Sequence, residues 1–145
     1  MVEHEVLVHC DAMTVYSYLL DGTNLPQWRE GVRSCHLSAG VAGGAGARYQ
    51  VLLTGPGGRA VAGDFEVTRA RPGAEIEMNI LAGPVRPKGG YYFSTEGNNT
   101  RVRYALEYHP RGLMSLFGGA VQRGLKTEVE QLSRLKDVLD RHQVR

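Results

Sequence analysis

The last third of the chain carries an amphipathic pattern that cannot stand alone. From about Leu113 to His142, apolar residues recur at Met114, Phe117, Val121, Leu125, Val129, Leu132, Leu135 and Leu139. Steps of three and four place them in one stripe along an α-helix. A helix with one apolar side must lay that side against something. The only partner the chain offers is the β-rich sequence before it. A single curved sheet wrapped around one long helix tends to enclose a hollow, so the pattern predicts a small-molecule pocket.

The preceding text divides into elements. Val2, Val6 and Val8 fall on one parity of a first strand, Glu3, Glu5 and His9 on the other. Asp11 is placed to cap a short helix, Ala12 to Leu20, with Val15, Tyr16 and Leu19 on its inner side. Asn24-Leu-Pro-Gln-Trp28 predicts a second turn or two, with Asn24 capping and Pro26 early, where a missing N–H is harmless. Period-two patterning then predicts strands at about Val32 to Ser38, Ala47 to Thr54, Arg59 to Ala70, Glu75 to Leu81, Gly89 to Glu96 and Thr100 to His109. Clusters among the 19 glycines separate them, as hairpin connections do. Each strand has one face for water and one for an interior, as in an antiparallel sheet covered on one side. The expectation is an α+β domain spanning 1–145, with about seven antiparallel strands, two short helices after the first, and a long closing helix.

This order resembles the helix-grip fold of the superfamily that includes START lipid-binding domains, polyketide cyclases and plant Bet v 1-like proteins. Asp21 through Asn24-Leu25-Pro26-Gln27-Trp28 is similar to its Asp-x-x-x-x-Pro-x-Trp after the first helix. Gly97-Asn-Asn-Thr100-Arg-Val-Arg-Tyr resembles its penultimate turn. Tyr108-His-Pro110-Arg-Gly112 resembles its strand-to-helix junction, and Gln131-Leu-Ser-Arg-Leu135-Lys136 its closing Leu-x-x-Leu-Lys. The resemblance spans the chain. It implies a hydrophobic ligand and, in some members, aromatase/cyclase or dehydratase activity.

Composition narrows the classes. Seventeen basic against 15 acidic residues give a net charge of +2, which offers no case for nucleic acid or an anionic membrane as partner. No apolar run is long enough to span a bilayer, and Met1-Val-Glu-His-Glu is no signal peptide. Cys10 and Cys35 make no disulfide framework and read as reduced thiols in a cytoplasmic protein.

Catalytic motifs are not evident. His4, His9, His36, His109 and His142 never sit at ligand spacing on one element, so no metal is expected, and no cofactor. The cluster Gly40 to Gly46 is followed by a strand and no Gly-Lys-Ser/Thr, which excludes a phosphate loop. The serines lack a nucleophile-elbow context.

The inward faces are oily and aromatic. Strand parity sends Tyr49, Phe65, Met78, Tyr91, Phe93, Tyr104, Leu106 and Tyr108 inside, Trp28 from the short helix, and Met114, Phe117 and Val121 from the long one. These are the candidate ligand-binding residues. The strand carboxylates Asp64, Glu66, Glu75, Glu77 and Glu107 take the outer parity, so catalytic residues are left unassigned. Tyrosine, with a pKa near about 10, is a poor base but a good donor to a ligand oxygen. Gly118, Gly119 and Gly124 suit a helix that bends or gates, and the Gly83 to Gly90 loop suits a pocket rim. Glu130 with Arg134 and Asp137 with Arg141 predict i,i+4 ion pairs farther on. Three functions stay open: binding of a hydrophobic, aromatic polyketide-like or lipid-like molecule, a cyclase or dehydratase, and a partner-binding protein with a vestigial cavity.

Overall fold

A computed structural model describes residues 1–83, 85–108 and 118–143. Strand β1 (Val2–Val8) buries Val2, Val6 and Val8 and leaves Glu3 and Glu5 in water. Helix α1 (Ala12–Leu20) follows, capped by the Asp11 carboxylate, which accepts from the Thr14 N–H at 3.2 Å. Val15, Tyr16 and Leu19 are its buried residues, as the spacing predicts. Asp21 accepts from the Thr23 N–H at 3.0 Å and starts a 3₁₀ turn, Gly22–Asn24, that runs directly into α2 (Leu25–Trp28). The expected Asn24 cap does not form, because Asn24 is itself helical (φ −80°, ψ −10°). Its side-chain amide donates instead to the Tyr18 carbonyl at 2.9 Å, fastening the turn to α1.

Seven further strands complete one antiparallel sheet: β2 (Val32–Ala39), β3 (Arg48–Thr54), β4 (Ala60–Ala62), β5 (Phe65–Arg71), β6 (Glu75–Ile80), β7 (Lys88–Glu96) and β8 (Asn99–Glu107). The order is β1-β8-β7-β6-β5-β3-β2, with β4 paired to β3. Alternation sets the faces: Val102, Tyr104 and Leu106 are buried, while Arg101, Arg103 and Glu107 take the opposite parity. The β7–β8 hairpin turns through Gly97, whose φ of 63° explains the glycine there. Thr100, just beyond, is fully buried, and its hydroxyl donates to the Cys10 carbonyl at 2.8 Å.

The strand predicted from Arg59 to Ala70 is two strands. The chain breaks at Gly63 and Asp64, where the Asp64 carboxylate accepts from the Val51 N–H at 3.0 Å in place of a ladder carbonyl. A Cβ on Gly63 would lie 2.7 Å from Leu53 Cδ1, so any larger residue at the corner would have to displace that side chain. Beyond it, β5 leaves β3 after two residue pairs and continues with β6.

The closing helix is also two pieces, α3 (Gly118–Glu130) and α4 (Leu132–Gln143), and the start predicted at Leu113 lies outside the described residues. At the junction the Gln131 N–H bonds to the Glu128 carbonyl and the Arg134 N–H to the Gln131 carbonyl, a tightened turn of i→i−3 bonds. The stripe survives the bend: Leu125, Val129, Leu132, Leu135 and Leu139 are buried against the sheet. Arg134 and Arg141 do not make the predicted ion pairs. Arg134 Nε donates to the Trp28 carbonyl at 2.9 Å and Arg141 Nε to the Asp137 carbonyl at 3.1 Å. Lys136 pairs with Asp140, which also accepts from the His9 N–H at 2.9 Å and so ties α4 to the end of β1. The assembly is the helix-grip arrangement.

Leu132, without exposed surface, and Val121, half-buried, should differ sharply. Leu132→Ala is expected to cost about 2–5 kcal/mol in urea unfolding, and Val121→Ala less than half of that. Equal losses would mean that α3 packs as tightly as α4.

Candidate ligand-binding site

The interior lies where α1, the 3₁₀ turn and α2 face the sheet. Aromatic rings fill much of it. Tyr91 and Tyr104, opposite one another on β7 and β8, have ring centroids 4.6 Å apart, and Trp28 meets Tyr91 edge-on at 6.2 Å. Tyr49 stacks on Phe65 at 5.1 Å, beneath Gly22, where a Cβ would lie 2.7 Å from the tyrosine ring. The space left, bordered by Leu19, Leu25, Arg29, Phe65, Met78, Tyr91 and Tyr104, is about 20 Å³. That is room for about one water. The hollow that the helix pattern predicts is closed down by side chains.

The candidate residues separate accordingly. Phe65, Met78, Tyr91 and Tyr104 border the internal space. Trp28, Tyr49 and Leu106 are buried in the surrounding core. Phe93, Tyr108 and Val121 are partly buried against that core, Phe93 edge-on to Tyr16. Met114 and Phe117 lie outside the described residues.

The strand parity left one feature unseen. Arg29, the residue that ends α2, lies with its guanidinium against Glu128 of α3, Nε to Oε1 2.7 Å. The arginine side chain is 15% exposed and the glutamate 26%. Nε is sealed from solvent with Glu128 as its partner, and among the described residues nothing is hydrogen-bonded to the other two guanidinium nitrogens. The Tyr104 hydroxyl donates to the same Glu128 oxygen at 3.4 Å. A charge on the helix's inner edge is readable in retrospect, since Glu128 stands three residues after Leu125 and four before Leu132.

The same helical face grips the whole end of α2. Gln131 accepts from the Glu30 N–H at 3.2 Å, and Arg134 holds the Trp28 carbonyl. Three successive residues, Trp28, Arg29 and Glu30, are thus met by side chains spaced at three-residue steps along the helix.

Electrostatics fix the protonation states. Burial pulls the Arg29 guanidinium down, but the Glu128 charge, with Tyr104 and Tyr91, outweighs it and raises its pKa. Arg29 is a permanent cation. Burial pushes the phenols of Tyr91 and Tyr104 well above their ordinary value, and Glu128 adds to it. Both are neutral hydrogen-bond donors at physiological pH and poor bases.

The other face of the sheet carries a larger, open depression of about 540 Å³ around Glu77, Lys88, Tyr92, Arg103 and Ala105. Three of its polar residues are already engaged. Tyr92 donates to Glu77 at 3.0 Å, and Arg103 lies 4.6 Å over the Tyr92 ring while pairing with Glu3 at 2.9 Å. The interior, with its aromatic walls and incompletely bonded cation, is the better candidate.

A helix-grip domain with an aromatic interior defines the class of protein. The family is specific: residues 1–140 match "Polyketide cyclase / dehydrase and lipid transport", and the chain belongs to that family. No curated protein matches the chain. Among solved structures it is similar to TTHA0849 from Thermus thermophilus, at 23% identity, with 94% of each chain covered and a TM-score of 0.76. It is similar to the di-domain ARO/CYC StfQ from the steffimycin biosynthetic pathway, at 19% identity and TM-score 0.71, covering 100% of this chain and 46% of that one. A START superfamily protein from Mycobacterium smegmatis matches at 19% identity and TM-score 0.59, over 90% of this chain and 97% of the other. At these identities the likeness is one of fold.

Raised phenol pKa values in the folded state have a signed consequence. Below about pH 10 the phenols are neutral folded and unfolded. Above it the unfolded chain releases their protons first, so stability falls as pH rises. Urea midpoints of the parent should drop more steeply above about pH 10 than those of a Tyr91→Phe/Tyr104→Phe variant. Native ultraviolet absorbance showing all seven tyrosines ionising near their ordinary pKa would contradict the burial argument.

Proposed function

We propose that this protein binds a hydrophobic small molecule, aromatic polyketide-like or lipid-like, between the sheet and the C-terminal helix. The observation that carries this reading is a polar cluster set inside an aromatic lining: Arg29, Glu128 and the hydroxyls of Tyr91 and Tyr104, beside Trp28, Phe65 and Met78. An apolar enclosure with a few convergent polar groups is how proteins orient small ligands. Membership of a family described by polyketide cyclisation and lipid transport supports the same class. The resting space of about 20 Å³ requires one wall to move. Helix α3 meets that space through Arg29, which Glu128 holds, and is the element suited to move: Leu125 and Val129 are its buried residues, and no side chain packs where a Cβ would stand on Gly118 or Gly124. In this reading the protein works in the cytoplasm, where Cys10 and Cys35, thiols in the structure, stay reduced.

The charged pair favours a second reading, a cyclase or dehydratase. A fixed guanidinium stabilises a developing oxyanion, neutral phenols donate to it, and the Glu128 carboxylate is within reach as a base. In this version the ligand is a substrate held in the same place.

Trp28, the chain's single tryptophan, sits against Tyr91 and reports on the interior directly. Titration with apolar aromatic compounds should change its fluorescence, and native mass spectrometry should show one bound molecule per chain. Tyr104→Phe should weaken binding by about three- to tenfold, the worth of one hydrogen bond. If the bound molecule is a substrate, the same change should slow turnover by about 10²–10⁴-fold with affinity nearly intact. A Trp28 signal indifferent to every apolar compound, with nothing bound in the mass spectrum, would sink both.

A further inference from the structure

The Arg29–Glu128 pair is an unusual thing to place beside a ligand space. A buried guanidinium demands a counter-charge, since an unpaired one costs far more than its burial returns. Glu128 supplies the charge at one edge only. It meets Nε at 2.7 Å, and among the described residues nothing is hydrogen-bonded to the other two guanidinium nitrogens. The cation therefore keeps unused donor capacity, and it borders the internal space together with Tyr91 and Tyr104.

Glu128 also stands where release is possible. It lies on α3, one turn before the bend at Gln131, and its side chain already keeps about a quarter of its surface in water (26%). Beyond the bend, the anchors are independent of it: Gln131 on Glu30, Arg134 on Trp28, and Asp140 on His9. Swinging Glu128 outward would free α3 and leave α4 seated. What it would leave behind is a buried cation, so only a ligand that brings its own negative charge can take its place. The group that fits is shown by the occupant itself, a carboxylate.

We propose that Glu128 is an internal stand-in for the carboxylate of a hydrophobic acid, and that its pairing with Arg29 latches α3 shut until such a ligand displaces it. This rests on the ligand-binding reading above and names its ligand class. The latch makes occupancy self-regulating: neutral apolar molecules meet a closed wall, and acids exchange one carboxylate for another on the same guanidinium.

The test uses 1-pyrenebutyric acid and its primary amide, equal in shape and different in charge, with binding read from Trp28 and pyrene fluorescence. The parent protein should prefer the acid by at least about fivefold. Glu128→Gln keeps the side chain's shape and removes the competing charge; it should raise the acid-to-amide preference by a further threefold or more. Arg29→Gln should bring the preference to about one. Should that variant fail to fold, the Glu128→Gln comparison decides alone. Binding of both probes with a preference near one that Glu128→Gln does not raise overturns the latch and leaves the ligand-binding reading standing. Binding of neither probe to any variant overturns both.

Discussion

A guanidinium held against a carboxylate inside an aromatic interior is the constraint on which the rest of this structure depends. Arg29 arrives from the end of α2 and Glu128 from the last turn of α3, and the buried guanidinium needs a counter-charge there. Their pairing sets where α3 lies along the sheet. The neighbouring contacts agree with that register: Gln131 takes the Glu30 amide and Arg134 takes the Trp28 carbonyl. An apolar stripe alone would let the helix slide by a turn with little change in buried area. Two hydrogen bonds and an ion pair to three consecutive residues do not.

The two halves of the closing helix are held differently. Helix α4 buries Leu132, Leu135 and Leu139 and is fastened to β1 through Asp140. Helix α3 buries Leu125 and Val129 and carries three glycines with little around them. Local opening concentrates where buried contacts are few. The interior is nearly full at rest, so a ligand in this protein requires a moving wall.

Much of the architecture was legible in the sequence. Period-two runs such as Val102, Tyr104 and Leu106 named the inner face of β8, and the leucine stripe named the buried side of the helix. The bend at Gln131 was not legible, because the stripe continues through it with ordinary steps. Nor was the corner at Gly63 and Asp64, where a side chain replaces a ladder bond within an otherwise alternating run. The candidate site was read in half. Tyr91 and Tyr104 follow from parity, but Arg29 and Glu128 are charged residues of a kind that water usually claims, and only their meeting across most of the chain's length gives them meaning. Even the predicted pairs of Arg134 and Arg141 failed for a similar reason: an arginine near backbone carbonyls has better uses than a neighbour four residues away.

The energetic coupling of Arg29 and Glu128 tests this account most directly. A double-mutant cycle with Arg29→Met and Glu128→Gln, followed by urea unfolding, isolates it. Exposed pairs contribute about 0–1 kcal/mol, while breaking a fully buried one costs about 3–5 kcal/mol. With Glu128 a quarter exposed (26%), each single change should cost about 1–3 kcal/mol, and the double change clearly less than their sum, by more than about 1 kcal/mol. Losses that add to within about 0.5 kcal/mol would show two independent side chains and no latch.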